Sequence, residues 1–218
     1  MAQTVTFDAS KLGWALQNST SWDLEAAAQG SYHDKSRTRT GIIIFSTIGT
    51  SLTGKIITGI TFSITSPGSG SDSSRKVLTF KESNYQDSFP SGRGDRYPST
   101  LLGTLTGKFF NNTTSHTLNA STNTAFFNNL SSYLSAGNHV LILHNGEKSS
   151  SSNSYSSNYA KISAMSMTVT YEEPGGAIYH REGTTWKKGT PYVYHNGSWV
   201  KGEAYIYHNG VWTRSKTV

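Results

Sequence analysis

Tyr192-Val193-Tyr194-His195-Asn196-Gly197-Ser198-Trp199-Val200-Lys201-Gly202 is followed, thirteen residues on, by Tyr205-Ile206-Tyr207-His208-Asn209-Gly210-Val211-Trp212. The period extends upstream, since Trp186, Trp199 and Trp212 share this spacing, as do Gly189 and Gly202. Ile178-Tyr179-His180-Arg181-Glu182-Gly183 reads as a degenerate first copy. Asn-Gly suits a two-residue type I′ turn, because both central positions need positive φ. The flanking strands are then Tyr192 to His195 and Ser198 to Lys201. That register sets His195 opposite Ser198, Tyr194 opposite Trp199 and Val193 opposite Val200. Tyr194 and Trp199 become a cross-strand aromatic pair on one face, and Tyr207 and Trp212 repeat it. Gly189 and Gly202 are expected in the reverse turns between hairpins. A lone hairpin is marginal in water, so the copies are expected to join into a small meander over residues 177–218. The rings then have two readings. They are the core of a very small domain, or an exposed platform for a sugar or a protein, to which an apolar ring with a polar tip is suited.

The remaining sequence carries a different β signal. Ile60, Phe62 and Ile64 alternate with Thr61, Ser63 and Thr65. Met165, Met167, Val169 and Tyr171 alternate with Ser166, Thr168 and Thr170. Each run has one apolar and one hydroxyl face, the pattern of a half-buried strand. Ile42-Ile43-Ile44-Phe45 and Val140-Leu141-Ile142-Leu143 are continuous apolar runs, expected as strands covered on both faces. Arg75 to Phe80 is a further strand. Two stretches read as helical: Asp23 to Ala28, and Thr124 to Leu134 with Thr124 as cap. Long polar loops separate these elements, at residues 66–74, 83–98 and 148–158. The fold class expected is all-β: a β-sandwich of jelly-roll type over residues 1–173, a hinge at 174–176, and the hairpin repeat. Glu172-Glu173-Pro174-Gly175-Gly176 supplies the hinge.

Composition narrows the functional classes. Only 15% of residues are charged, against roughly a quarter in an average soluble domain. There is no cysteine, which excludes disulfides and thiolate metal sites. Met1-Ala2-Gln3 leads directly into strand-like sequence, so synthesis in a cytoplasm without a signal peptide is expected. No apolar stretch is long enough for a membrane helix, and no membrane insertion is expected. The net charge is +6, but the basic residues are scattered, so no nucleic-acid partner is expected. Lys35, Arg37 and Arg39 alternate with Ser36 and Thr38 and read as one solvated strand face.

Motifs for chemistry are sparse. The seven histidines form no zinc-type pair. His180, His195 and His208 recur with the repeat and are read as turn-flanking residues, with no metal expected. Glycan hydrolysis needs two carboxylates flanking a cleft. Asp87 and Asp95 lie in one long loop and Asp23 and Glu25 are close in sequence, and neither spacing shows the mutual geometry of such a pair. No nucleophile elbow, phosphate loop or nucleotide fingerprint is present. The chain therefore reads as non-enzymatic, with neither catalytic residues nor a cofactor. Arg93-Gly94-Asp95 and the Asn-x-Ser/Thr triplets are taken as compositional.

The tandem Tyr-Val-Tyr-His-Asn-Gly-Ser-Trp-Val-Lys-Gly and Tyr-Ile-Tyr-His-Asn-Gly-Val-Trp-Thr-Arg segments resemble the C-terminal repeats of minor structural and tail proteins of phages and prophages of Gram-positive bacteria. The resemblance covers residues 177–218. It implies a virion component at a tail tip, baseplate or fibre, which binds a host cell-surface polysaccharide, neighbouring virion subunits, or both. Choline-binding-type cell-wall repeats are similar in alternating aromatics and glycines, but use a longer unit. Arg37 to Phe45, Leu52-Thr53-Gly54-Lys55-Ile56-Ile57 and Met165 to Tyr171 resemble jelly-roll modules of the carbohydrate-binding and DNRLRE type. The acid-and-arginine signature of those modules is missing, so no sugar or calcium site carries over. The contact residues expected are Tyr192, Tyr194, Trp199, Tyr205, Tyr207 and Trp212, with Tyr155 and Tyr159 of the polar loop as a second set. Weak sugar contacts gain strength from copy number, so a symmetric homo-oligomer is expected, a trimer being one form. The alternatives are a capsid decoration or head-fibre protein, and a glycan-cleaving depolymerase.

Overall fold

A computed structural model describes residues 2–16, 19, 21–31, 37–67, 77–83, 89, 100–148, 151, 158–173, 178–182, 185–189, 192–202, 205–208 and 211–214. Within 178–189 and 205–214 the description is of the backbone. The expected hinge at 174–176, Tyr155, Lys35, the Arg93-Gly94-Asp95 triplet and most of the three polar loops lie outside the described residues. The chain divides into two compact units, Met1–Glu172 and Glu173–Val218.

The first unit is mostly β with one helix. Its elements are β1 (Gln3–Asp8), β2 (Lys11–Leu16), β3 (Ala27–Gln29), β4 (Arg39–Ile44), β5 (Ile56–Ser66), β6 (Val77–Lys81), β7 (Leu101–Thr106), β8 (Asn112–Leu118), α1 (Thr124–Ser135), β9 (Val140–Leu143), β10 (Ala160–Ile162) and β11 (Ala164–Glu172). One antiparallel sheet runs β1-β11-β5-β8 and a second runs β2-β4-β9-β6-β7, with β3 and β10 paired separately. Among the described residues neither large sheet closes into a barrel.

Alternation decides which face of the first sheet is covered. Ile60, Phe62, Ile64, Met165, Met167 and Val169 are buried. On the opposite face, threonine hydroxyls pair across strands: Thr6 with Thr168 at 2.8 Å, Thr61 with Thr117 at 3.1 Å, and Thr65 with Thr113 at 3.0 Å. The second sheet behaves differently, because β4 and β9 are buried throughout. Ile43, Leu141 and Leu143 face the main core, whereas Ile42, Ile44, Val140 and Ile142 form a second cluster with Trp22 and Phe89 packed against it. The continuous apolar runs are therefore covered on both sides, as their composition requires. Phe62 of β5, Phe80 of β6 and Phe126 of α1 stack with centroids 5.4–6.2 Å apart. That trio joins both sheets and the helix in one core, each buried ring contributing about 2 kcal/mol by area.

Helix α1 forms where Phe126, Phe127, Leu130, Tyr133 and Leu134 recur on one side, and these five residues are buried. Its cap departs from the sequence reading. Asn123 occupies the cap in the left-handed region with no side-chain capping bond. Thr124 is the first helical residue, and its hydroxyl donates to the Ala120 carbonyl at 3.0 Å. Asn and Asp tolerate that backbone region better than other non-glycine residues.

The expected helix over Asp23 to Ala28 is not formed. Asp23 exchanges two 2.9 Å backbone bonds with Trp14, and its carboxylate accepts the Glu25 N–H. Ala27–Gln29 is strand β3, fully buried. Gln29 donates to the Val77 and Asn158 carbonyls and accepts the Thr79 N–H. Gly41 lets β3 approach β4, since a Cβ there would sit 2.8 Å from the Ala28 nitrogen. Burial and these long-range bonds override the local helix preference of an alanine run.

Arg39 is a second correction. It belongs to no solvated face: only 5% of its surface is exposed. Its guanidinium lies 4.1 Å from the Trp14 ring centroid and 5.4 Å from that of Tyr159. The weakly hydrated, planar guanidinium suits such stacking. Arg37, two residues before it, is exposed, and Lys35 lies outside the described residues.

The second unit consists of three hairpins: β12 (Ile178–Glu182) with β13 (Thr185–Gly189), β14 (Tyr192–His195) with β15 (Ser198–Lys201), and β16 (Tyr205–His208) with β17 (Val211–Arg214). Each is a separate two-stranded sheet, and among the described residues no ladder joins one hairpin to the next. Among the described residues the repeat forms three two-stranded ribbons and not the continuous meander expected. Gly189 also ends strand β13 opposite Ile178 instead of lying in a connecting turn.

Candidate functional site

The middle hairpin has the register required by its turn. His195 faces Ser198, Tyr194 faces Trp199, Val193 faces Val200 and Tyr192 faces Lys201. Asn196 and Gly197 have φ of 49° and 81°, both positive as a type I′ turn demands. Tyr194 and Trp199 stand with ring centroids 5.3 Å apart and planes tilted by 59°, an edge-to-face arrangement favoured by aromatic quadrupoles.

These rings are exposed. Tyr192, Tyr194 and Trp199 keep 58%, 60% and 69% of their surface open, and Val193 and Val200 on the opposite face are exposed as well. Elsewhere among the described residues the exposed large apolar side chains are Leu24, Ile56 and Leu101. Those are well separated in sequence, and single exposed apolar residues are ordinary. A cluster of rings on one short ribbon is not. In this hairpin the rings are therefore exposed and do not form a buried core.

The backbone repeats the arrangement in the third hairpin, where Tyr207 faces Trp212 and Tyr205 faces Arg214. In the first hairpin Arg181 takes the place of the tyrosine opposite Trp186. This register also corrects the reading of the histidines. Glu182, opposite Thr185, occupies the position of His195 and His208, whereas His180 lies opposite Lys187. His180 is thus two positions out of phase with the other two.

Tyr159 does not belong to this surface. It is buried to within 6% of its area and helps to cover the Arg39 guanidinium. The base of its loop is fixed by Glu147, whose carboxylate accepts the Asn158 backbone N–H at 2.9 Å and the Asn158 amide at 3.1 Å. A Tyr in a Ser/Asn-rich stretch looks exposed by composition, and its burial depends on Arg39, more than a hundred residues away in sequence.

Surface cavities occur in the first unit. One of about 420 Å³ is lined by Glu82, Ser83, Thr100, Asn129, Tyr133 and Asn138 among others. The Tyr133 hydroxyl lies 2.7 Å from the Val140 carbonyl and accepts the Ser83 N–H at 3.0 Å, and burial pushes its pKa up to about 12. This phenol is a structural tie between α1 and the strand ends. Another cavity, of about 250 Å³, includes Asp8, Ser63 and Ser166 in its lining. Each holds one carboxylate, Glu82 or Asp8. Among the described residues, no three His, Asp or Glu side chains are grouped to hold a metal ion.

No family model matches the sequence, and no curated protein shows significant similarity to it.

Proposed function

We propose that this chain is a non-enzymatic attachment protein of a phage particle, sited at a tail tip, baseplate or fibre, whose hairpins bind a host cell-surface glycan. The observation that carries this reading is the exposed Tyr194–Trp199 pair, on a hairpin whose register recurs with Tyr207 and Trp212. An indole face covers the C–H face of a pyranose, and a neighbouring phenol offers a hydroxyl to the sugar's rim. Two exposed valines on the other face suit a contact with a neighbouring subunit in a symmetric assembly.

The first unit fits the role of a rigid carrier of jelly-roll type. With β2, β3 and β10 set aside, the other eight strands form the neighbours β1·β11, β4·β9, β5·β8 and β6·β7. These are the four nested pairs of one long ribbon. Rolling such a ribbon brings the last strand beside the third and the seventh beside the fourth, and the pairings β11·β5 and β9·β6 support this jelly-roll reading.

Incubation of the protein with purified cell walls from a panel of Gram-positive bacteria tests the function. Sedimentation with the walls of a subset of strains, with no soluble reducing ends, is the expected result. Released reducing ends identify a depolymerase instead. Absence from every wall pellet, together with binding to phage shells, identifies a capsid decoration protein.

A further inference from the structure

The register of the hairpins pairs two further sets of residues that share the thirteen-residue spacing, Tyr179, Tyr192 and Tyr205 with Lys188, Lys201 and Arg214. Lys188 lies opposite Tyr179, Lys201 opposite Tyr192, and Arg214 opposite Tyr205. In each hairpin this Tyr–cation pair is two residues along both strands from the pair that contains the tryptophan. Residues two apart on a strand share a face. Each ribbon therefore places a tryptophan, a tyrosine and a basic residue at register positions of one face. In the first hairpin Arg181, opposite Trp186, adds a second cation to the set. In the middle hairpin, where the side chains are described, Tyr192, Tyr194, Trp199 and Lys201 are all exposed.

Charge follows the same division. Residues 177–218 contain six Lys and Arg against two Glu, whereas residues 1–176 contain thirteen against eleven acids. The last 42 residues thus contribute +4 of the net +6. A neutral sugar chain needs rings and hydrogen-bonding groups but gives a recurring ammonium or guanidinium no partner. A sugar chain bearing carboxylates or phosphates along its length gives every repeat one.

We propose, building on the glycan-binding reading, that the ligand is an anionic polysaccharide, and that each hairpin offers it a stacking face with a cation one sugar-edge away. The three ribbons act as three linked sites on one polymer, so affinity arises from valency. The attraction is between exposed charges and weakens as salt rises.

Full-length protein titrated with polygalacturonate and with dextran of matched length, at low and at physiological ionic strength, tests this. The expected result is about tenfold tighter binding to the uronate polymer at low salt, falling toward the dextran value as salt increases. The triple variant Lys188→Gln, Lys201→Gln, Arg214→Gln keeps its circular dichroism spectrum and its dextran binding, but loses the preference. Equal affinity of the native chain for both polymers overturns the charge inference and leaves glycan binding standing. Failure to bind either polymer or any cell wall removes both. Tighter binding to oligothymidylate than to the uronate polymer also overturns the inference and assigns the cation–aromatic face to single-stranded nucleic acid.

Discussion

Gly103 and Phe126 meet where β7 passes under α1, and the phenylalanine ring occupies the space that a Cβ on Gly103 would need. Gly103→Ala overpacks this junction at a cost of about 1–3 kcal/mol, and the midpoint of urea denaturation is expected to fall accordingly. His144 gives a pH dependence. Burial, aided by Lys81, lowers its pKa from 6.5 to about 4, and Thr40 lies 3.3 Å from its Nδ1. Between those values the unfolded chain takes up a proton that the folded chain excludes, so stability is full above pH 6.5 and declines as pH falls toward 4. Burial lowers the pKa of His116 as well, adding to the slope. Denaturant midpoints measured across this range are expected to decline less steeply in His144→Asn than in the native chain. Neither effect was legible in the sequence. A glycine in Leu-Leu-Gly-Thr-Leu-Thr and a histidine after Val-Leu-Ile-Leu say nothing about which distant ring or strand covers them.

At the scale of elements, local signals served well where they were self-contained. The Asn196-Gly197 turn fixed its strands and register, because positive φ at two adjacent residues leaves few ways to continue the chain. Gly197→Val forces a β-branched residue to φ near 81°, a cost of about 1–2 kcal/mol. Loss of the cross-strand Tyr194–Trp199 nuclear Overhauser contacts is the expected readout, with weaker wall binding in parallel. Helix α1 was likewise visible in the spacing of Phe126, Phe127, Leu130 and Leu134, whereas the burial of Tyr133 came from the structure. The alanine run from Ala26 to Ala28 was misread, because its environment is supplied by β4, which begins at Arg39, and by β6 and β10, which are distant in sequence. Among the described residues no ladder joins the hairpins, where a meander was expected. Thirteen-residue spacing is compatible with either outcome, since a ladder between successive ribbons depends on the short connecting segments and not on the repeat itself.

For the molecule as a whole, three hairpins on one chain predict a particular kind of binding. Linked weak sites raise the overall affinity by about 10²–10⁴ over a single site when all can engage. Under the proposed function, Trp199→Ala alone lowers wall affinity several-fold, and Trp186→Ala, Trp199→Ala and Trp212→Ala together reduce it to the level of unspecific adsorption. Equilibrium sedimentation against one wall preparation distinguishes this graded loss from dependence on a single hairpin. The aromatic content of the site was visible in the sequence, and Lys188, Lys201 and Arg214 recur there at the same thirteen-residue spacing. That spacing does not say what each cation faces, and only the pairing partners set each one opposite a tyrosine.

The linear sequence by itself determined the period-two strands, the buried runs around Ile43 and Leu141, the helix at Phe126 and the turn geometry of the middle repeat. These follow from forces acting over a few residues: steric limits on φ, and the facing of alternate side chains. Tertiary structure decided that Ala27–Gln29 is a strand, that Arg39 and Tyr159 are covered together, and that the Tyr194–Trp199 rings stand open. The reason is that burial is a property of what packs against a residue, and for these residues the coverage, or the absence of it, is set by segments remote in the chain.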